Sequence, residues 1–390
     1  MQSLAQFLPD DGYRGCLLGR VWNPLGDHPG PCVVAVREAG VFDVTDRFAT
    51  VSDLLEQHDP AAALAATPGT RLASVAQVLA NTCAHQPDGK TPFFLAPIDV
   101  QVIKAAGVTF ADSLLERVIE EQTKGDPKKA AATREQVQSV MGEGVHSVKP
   151  GSPQAAALKK VLQEKGWWSQ YLEVGIGPDV EVFTKAPVMA AVGTGQAVGI
   201  RRDSAWNNPE PEVVLVVDAK ARVVGATLGN DVNLRDLEGR SALLLGKAKD
   251  NNASCALGPL IRLFDATFSL DDVRQMQVDL TVEGKDGFSL KGVNQMARIS
   301  RDPLEMVAQT VACHQYPDGF VLFMGTLFAP TQDRGEPGSG FTHQLGDVVR
   351  IRSQALGELC NVVDHSETAP PWRFGVRALM RNLARRGLLR

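Results

Sequence analysis

The sequence contains no run approaching the roughly 20 apolar residues that a bilayer-spanning helix requires. Its start, MQSLAQFLPDDGYRG, lacks the basic opening and long apolar stretch of a signal peptide, so none is expected. Basic residues do not dominate. With 40 Lys and Arg against 45 Asp and Glu the net charge is −5. That balance argues against nucleic acid or an anionic membrane surface as the main partner. Cysteine is sparse and scattered (Cys16, Cys32, Cys83, Cys255, Cys313 and Cys360), with no C-x-x-C pair. The six read as reduced core thiols of a cytosolic protein rather than a disulfide framework. Internal repeats and low-complexity tracts are absent as well. These absences lead to the expectation of a soluble, cytoplasmic protein.

What is present is ordinary in bulk. Hydrophobic residues are 44% and charged residues 22%, the balance of a globular protein. A chain of 390 residues is long for one domain and can bury a large core without disulfides. Residues 1 to about 100 are rich in Pro and Gly, with short apolar runs such as Cys32–Val36 and one helix-like stretch at Ser52–Gln57. Three helices are predicted next. One is capped by Thr109 and runs through Leu114, Leu115, Val118 and Ile119 to a stop near Gly125. A second opens at Asp126-Pro127, and a third at Ser152-Pro153, closed by Gly166. From about 170 the texture turns to strands. Val213–Val217 and Val223–Leu228 around Asp218–Ala221 form a predicted hairpin, with Met276–Val282, Phe320–Met324 and Asp347–Arg352 as further strands and a helix from Asp302-Pro303. The expected fold class is α+β: a mixed N-terminal domain over 1–165 and a mostly-β catalytic domain over 166–390.

The informative segment is residues 209–259, PEPEVVLVVDAKARVVGATLGNDVNLRDLEGRSALLLGKAKDNNASCALGP. Glu210 and Glu212 are two apart where a strand begins, so their side chains share a face. Asp231 follows the returning strand, which brings it back to the same end of the hairpin. Three converging carboxylates repel unless a cation compensates. All-oxygen ligation suits a hard divalent ion, Mg²⁺ or Mn²⁺. Glu-x-Glu alone is weak, since an exposed strand edge gives the same pattern.

Glu-x-Glu, a hairpin, G-N-D-V-x-x-R-D, a lysine and C-A-L-G-P together resemble the fumarylacetoacetate hydrolase superfamily. The likeness covers about residues 170–365, with Gly325-Thr326 and the closing GSGFTHQLGDVVRIRSQALGELCN. Within it, PDVEVFTKAP with Glu181, the stretch Glu238–Asp250 and the long N-terminal extension are most similar to the 2-keto-3-deoxy-pentonate dehydratases. The resemblance implies Glu210, Glu212 and Asp231 as metal ligands, and Lys249 as an active-site lysine. It further implies Arg235 as an ion-pairing support of the loop, and Gly325 and Thr326 at the substrate. Lys249 and Glu181 are the expected proton-transfer pair. A lysine beside a dication is pushed toward its neutral form, which suits a base, and a protonated Glu181 suits an acid; the sequence leaves open which of the two performs which step.

The implied activity is loss of water from a 2-keto-3-deoxy pentonate to give 2,5-dioxopentanoate, in a homo-oligomer (dimer or tetramer) with no nucleic-acid or membrane partner. The alternative is metal-dependent C–C bond hydrolysis of acylpyruvates. The family's hydrolases activate water with a His–Glu pair in an N-Y-x-x-H type segment, which this sequence lacks; the nearest upstream histidine, His146, lies in a Gly-rich loop. His343, also in a Gly-rich loop, is expected to be an ordinary loop residue. A non-enzymatic sugar-acid binder is disfavoured because all three carboxylates and the lysine are intact. Trp167, Trp168 and Trp206 read as packing residues, and Arg373, Arg377, Arg381 and Arg385 as one face of a surface helix.

Overall fold

The computed structural model describes residues 2–84, 86–124, 126, 128–130, 132–135, 148–164, 166–328, 330–335 and 340–389. The chain folds as the α+β class expected. An 11-stranded sheet runs in the order Thr70–Ala73, Gly40–Asp43, Gly30–Arg37, Leu17–Asn23, Cys255–Leu263, Val223–Asp231, Pro211–Val217, Phe320–Phe323, Val102–Gly107, Glu181–Ala186, with Phe93–Phe94 paired to Leu17–Asn23. A five-stranded sheet, Ser289–Gln295, Gln277–Glu283, Val348–Ser353, Gly357–His365 and Ala197–Ile200, lies against it. Strands from both sides of residue 165 interleave in the large sheet, so the division at 165 is a division of chain order and the sheet is continuous across it.

The central strands are buried on both faces, which is why they read as unbroken apolar runs. Val213, Leu215 and Val217 face the core shared with the smaller sheet, together with Leu228, Phe320, Leu322 and Met324. Their neighbours Val214, Val216, Val224, Val321 and Phe323 face a second core under the N-terminal helices. The predicted hairpin forms as Pro211–Val217 and Val223–Asp231, with Val213 opposite Leu228. The other predicted strands form at Gly30–Arg37, Gln277–Glu283, Phe320–Phe323 and Val348–Ser353.

A third cluster packs the helix Ala111–Thr123 through Leu114, Val118 and Ile119 against Leu172, Ile176 and Trp206. The start of this helix differs from expectation. Phe110, not Thr109, is the N-cap, because the Thr109 hydroxyl is spent donating to the Met324 carbonyl at 2.6 Å. The gain is tertiary: that bond ties the helix entry to the strand end beside Gly325. Ser152 does cap the helix Pro153–Glu164 by accepting from Ala155 N–H at 3.1 Å, and Gly166 follows it with φ +70°. Of the helix expected from Asp126-Pro127, residues 128–130 and 132–135 are helical, and the remainder lies outside the described residues. Asp302 caps Pro303–Val311 as read from the sequence. The C-terminal helix Val376–Arg385 exposes Arg377, Arg381 and Arg385. It packs through Leu379 and Leu383, leaving Met380 55% exposed. All six cysteines are unbridged. Among the described residues no helix is long and apolar enough to cross a membrane.

Candidate active site

The hairpin brings Glu210, Glu212 and Asp231 together. Antiparallel register sets Pro211 opposite Asn230 and Glu212 opposite Gly229. The strand ends are locked by Asp231 N–H donating to the Glu210 carbonyl and Glu210 N–H donating to Asn230 Oδ1, both at 3.1 Å. All three carboxylates are buried, and one oxygen from each lies within 4.8 Å of the others.

Lys249, at the end of the helix Leu245–Lys249, reaches the same point. Its Nζ donates to Glu210 Oε2 at 2.5 Å and Asp231 Oδ2 at 3.1 Å. Glu181 begins the edge strand Glu181–Ala186 opposite Gly107, where a Cβ would collide with the Glu181 carboxyl. Gly325, at φ +85°, donates its N–H to Glu212 Oε2 at 2.6 Å. Any side chain there would strike the Thr109 hydroxyl, so the glycine holds a carboxylate rather than leaving open space. Thr326 lines the cavity, but its hydroxyl accepts from Phe328 N–H at 3.1 Å inside its own turn. Arg235 is buried away from the cavity's centre. Its guanidinium bonds Glu120 at 2.6 Å and Glu116 at 3.3 Å, donates to the Pro330 carbonyl and stacks 4.1 Å over Trp206.

Three more charged residues complete the ion-pair network around the trio, none of them singled out from sequence. Arg117, on the helix Ala111–Thr123, bridges Glu210, Glu120 (2.8 Å) and Glu238 (2.9 Å). Lys185, fully buried, pairs with Asp231 at 2.8 Å and donates to the Lys249 carbonyl. Glu238 ends the helix Arg235–Glu238 and lines the cavity beside Glu181. Lys185 was legible in principle: Glu181, Phe183 and Lys185 follow the two-residue period of one strand face. Arg117 carried only a weak signal, an i,i+3 pairing with Glu120 on a predicted helix.

The charges do not balance. Glu120, Glu181, Glu210, Glu212, Asp231 and Glu238 face Arg117, Lys185, Arg235 and Lys249, an excess of two negative charges when all are ionised. Protons absorb that excess. Burial, then repulsion from Asp231 and Glu210, pushes Glu212 well above the carboxylate range. Burial and Glu238 raise Glu181 to about 7, and burial raises Glu238 too. Asp231 resists burial because Lys185 and Lys249 hold it below its usual value. Lys249 lies among the same carboxylates. Burial opposes its charge, but Asp231, Glu210 and Glu238 together hold the ammonium protonated. Three buried carboxylates with one oxygen each within 4.8 Å of the others form an all-oxygen cluster that fits a hard divalent cation.

His343 is buried outside this cavity, with Nδ1 3.1 Å from Asp347, which also takes Arg334 at 2.6 Å. It is thus part of a buried ion-pair network rather than an ordinary loop residue. His146 lies outside the described residues.

Residues 173–364 match the family described as Fumarylacetoacetate (FAA) hydrolase C-terminal. A Haloferax volcanii protein named "Probable 2-keto-3-deoxyxylonate dehydratase" is 30% identical over 201 residues, 52% of this chain and 66% of that protein. The Saccharolobus solfataricus 2-dehydro-3-deoxy-D-arabinonate dehydratase is 32% identical over 186 residues, 47% of this chain and 58% of that protein. The matched stretches thus span less than two thirds of either relative. A solved structure described as 2-keto-3-deoxy-D-arabinonate dehydratase complexed with magnesium and 2,5-dioxopentanoate has the same fold. It superposes at TM-score 0.62 and 20% identity over 90% of this chain and 99% of that one.

Proposed function

We propose, from the premise that this chain belongs to the fumarylacetoacetate hydrolase family, that it is a metal-dependent dehydratase of 2-keto-3-deoxy pentonates that yields 2,5-dioxopentanoate and water. The observation that carries the reading is the buried Glu210, Glu212, Asp231 trio, one oxygen from each within 4.8 Å of the others, sharing one cavity with Lys249 and Glu181. The names of the two sequence relatives, and the product bound in the structural neighbour, support this substrate class.

A divalent cation, Mg²⁺ or Mn²⁺, held by those three carboxylates would supply Lewis-acid stabilisation of the negative charge developing on the substrate's 2-oxo oxygen. Lys249 owes its charge to Glu210 and Asp231. Once their charge is compensated, the amine is free to take the proton from carbon 3. Glu181, with a pKa raised to about 7, retains a proton near neutrality to give to the hydroxyl leaving carbon 4. The balance is one proton from carbon 3 and one hydroxyl from carbon 4, released together as water. A proton moved from carbon 5 back to carbon 3 then leaves an enol across carbons 4 and 5, and its ketonisation, with the carbon-5 hydroxyl losing its proton and carbon 4 gaining one, completes the aldehyde. Phe183, whose ring lies 5.8 Å from Lys249 Nζ, and Arg117 line the cavity in which this exchange takes place.

Arg235 and Gly325 act as supports in this reading. Arg235 anchors the segment after Asp231 to the helix Ala111–Thr123, and Gly325 fixes Glu212. Thr326 belongs to the wall that the substrate meets. The chain division at 165 gives residues 1–165 the task of bringing Arg117, and residues 166–390 that of holding the metal ligands. We further propose a cytoplasmic dimer or tetramer. The exposed edge strand Ser289–Gln295, with Val293 41% exposed, supports this, and light scattering tests it.

The test of function is metal removal with a chelator, followed by assay of 2-keto-3-deoxy-D-pentonate consumption before and after Mg²⁺ is restored. Consumption only with the ion supports the reading. Undiminished turnover in metal-free protein contradicts it.

A further inference from the structure

We propose that a second cavity binds an organic monocarboxylate with an apolar tail, the carboxylate at Lys104 and the tail along a wall of valines. This cavity lies on the other face of the strand that carries Glu181. In Glu181–Ala186, Glu181 and Phe183 face the active-site cavity and Lys185 reaches Asp231, so the two-residue period turns Thr184 the other way. Thr184 stands opposite Lys104 in the antiparallel register, and its hydroxyl accepts from Lys104 Nζ at 3.1 Å. Phe320–Phe323 runs parallel to Val102–Gly107, and Val102 N–H donates to the Gly319 carbonyl at 3.3 Å, so loop 312–319 delivers Tyr316 and Pro317 beside Val102. The C-terminal helix closes a third side. Its Leu379 and Leu383 pack with Met189 and Val100, which sets Val376 in the cavity wall. The volume is about 410 Å³, within the range of sites that take small organic ligands. None of the described lining residues belongs to the active-site cavity.

The polar groups of this wall call for an anion. Lys104 is half-buried and, among the described residues, makes no ion pair. Burial pulls its pKa below the ordinary lysine value, the mark of an ammonium short of a counter-charge. Tyr316 is 7% exposed, its ring 4.7 Å from His314 and 4.8 Å from Phe320, yet its hydroxyl has no hydrogen bond among the described residues. Gly375 starts the helix Val376–Arg385 without a capping side chain, so the positive end of that helix is uncompensated where Val376 meets the cavity. Asp318, the carboxylate of the described wall, is exposed and therefore screened by solvent. One ammonium helped by a phenolic hydroxyl matches a single negative charge better than a phosphate dianion. The rest of the wall is aliphatic. Val100, Val102, Val188, Pro317 and Val376 offer a surface that a hydrocarbon tail can bury and a polyhydroxy acid cannot.

The test titrates octanoate, octanamide, propionate and inorganic phosphate by calorimetry into the Mg²⁺-loaded wild-type, Lys104→Met and Val376→Glu proteins. Wild type should bind octanoate about tenfold or more tightly than octanamide, which lacks the charge, and than propionate, which lacks the tail. Lys104→Met should bind octanoate and octanamide alike. Val376→Glu changes a residue 37% exposed at a helix start that favours an acid, so the fold should tolerate it. It should weaken octanoate by removing apolar wall and adding a like charge. Wild-type protein that takes up no octanoate, or binds octanoate and octanamide alike, overturns the proposal. So does octanoate affinity undiminished in Lys104→Met, which would place the acid elsewhere, the active site included. If that variant does not fold, Val376→Glu decides, and wild-type affinity there overturns it. Phosphate bound more tightly than octanoate, with that affinity lost in Lys104→Met, would replace the monocarboxylate by a phosphate.

Discussion

Replacing Lys249 with Met tests the charge arrangement without any assay of turnover. The side chain is 4% exposed and its Nζ lies between Glu210 and Asp231, at 2.5 and 3.1 Å. Methionine keeps the length and apolar body of the stem and removes the charge. Arg117 and Lys185 then remain as the cations touching the trio. Loss of one partner from a buried ion pair is worth about 3–5 kcal/mol. Unfolding entropy near 2.1 cal/mol/K per residue gives a chain of 390 residues about 0.8 kcal/mol/K. The melting temperature in chelator should therefore fall by about 4–6 °C. Magnesium at about 100 times its dissociation constant adds about 2.7 kcal/mol to the wild type, a rise of about 3 °C. In the variant the ion also replaces the missing ammonium, so the rise should be larger than in the wild type. Scanning calorimetry of both proteins, in chelator and in MgCl₂, measures all four temperatures. A variant that melts with the wild type in chelator, or gains no more than it from Mg²⁺, refutes the reasoning.

Three other outcomes are expected. Glu181→Gln should lower turnover on the order of 10²–10⁴-fold. Since the reading uses the protonated form of a group with a pKa raised to about 7, wild-type rate should fall as pH rises through about 7, and that limb should be missing from the variant; a limb that survives excludes Glu181 as the acid. Asp231→Ala should abolish Mg²⁺ binding in calorimetry while leaving the circular dichroism unchanged, and retained binding would remove Asp231 from the ligand set. Burial works to raise Asp347, yet His343 and Arg334 hold it at about 2, below its ordinary 3.8. Its stabilising contribution is therefore complete above the unfolded value and lost as pH falls through about 2. Asp347→Asn should melt lower at pH 7 and lose less than wild type on acidification from pH 4 to 2; equal losses would show that Asp347 is not a source of acid lability.

The carboxylate hairpin was readable because its signals are local. A two-residue period puts Glu210 beside Glu212, and a short polar turn returns Asp231 to the same end. The central strands were readable for the same reason, as apolar runs buried on both faces. What sequence could not give depends on contacts between distant segments. Thr109 looks like a helix cap, but a carbonyl 215 residues away claims its hydroxyl. Arg117 lies on an unremarkable amphipathic helix until packing inserts it between Glu210 and Glu238. The charge of Lys249 follows from how many carboxylates surround it, which no single segment encodes. The large sheet also mixes strands from both sides of residue 165, because Val102–Gly107 pairs in parallel with Phe320–Phe323 across more than half the chain.

The most direct measurement is product analysis by NMR of the Mg²⁺-loaded protein, incubated with 2-keto-3-deoxy-D-pentonate and separately with acylpyruvates. The account predicts 2,5-dioxopentanoate from the sugar acid, with its five-carbon chain intact, and acylpyruvates left whole. Pyruvate released from acylpyruvates, with the sugar acid untouched, would contradict it and make the chain a C–C bond hydrolase.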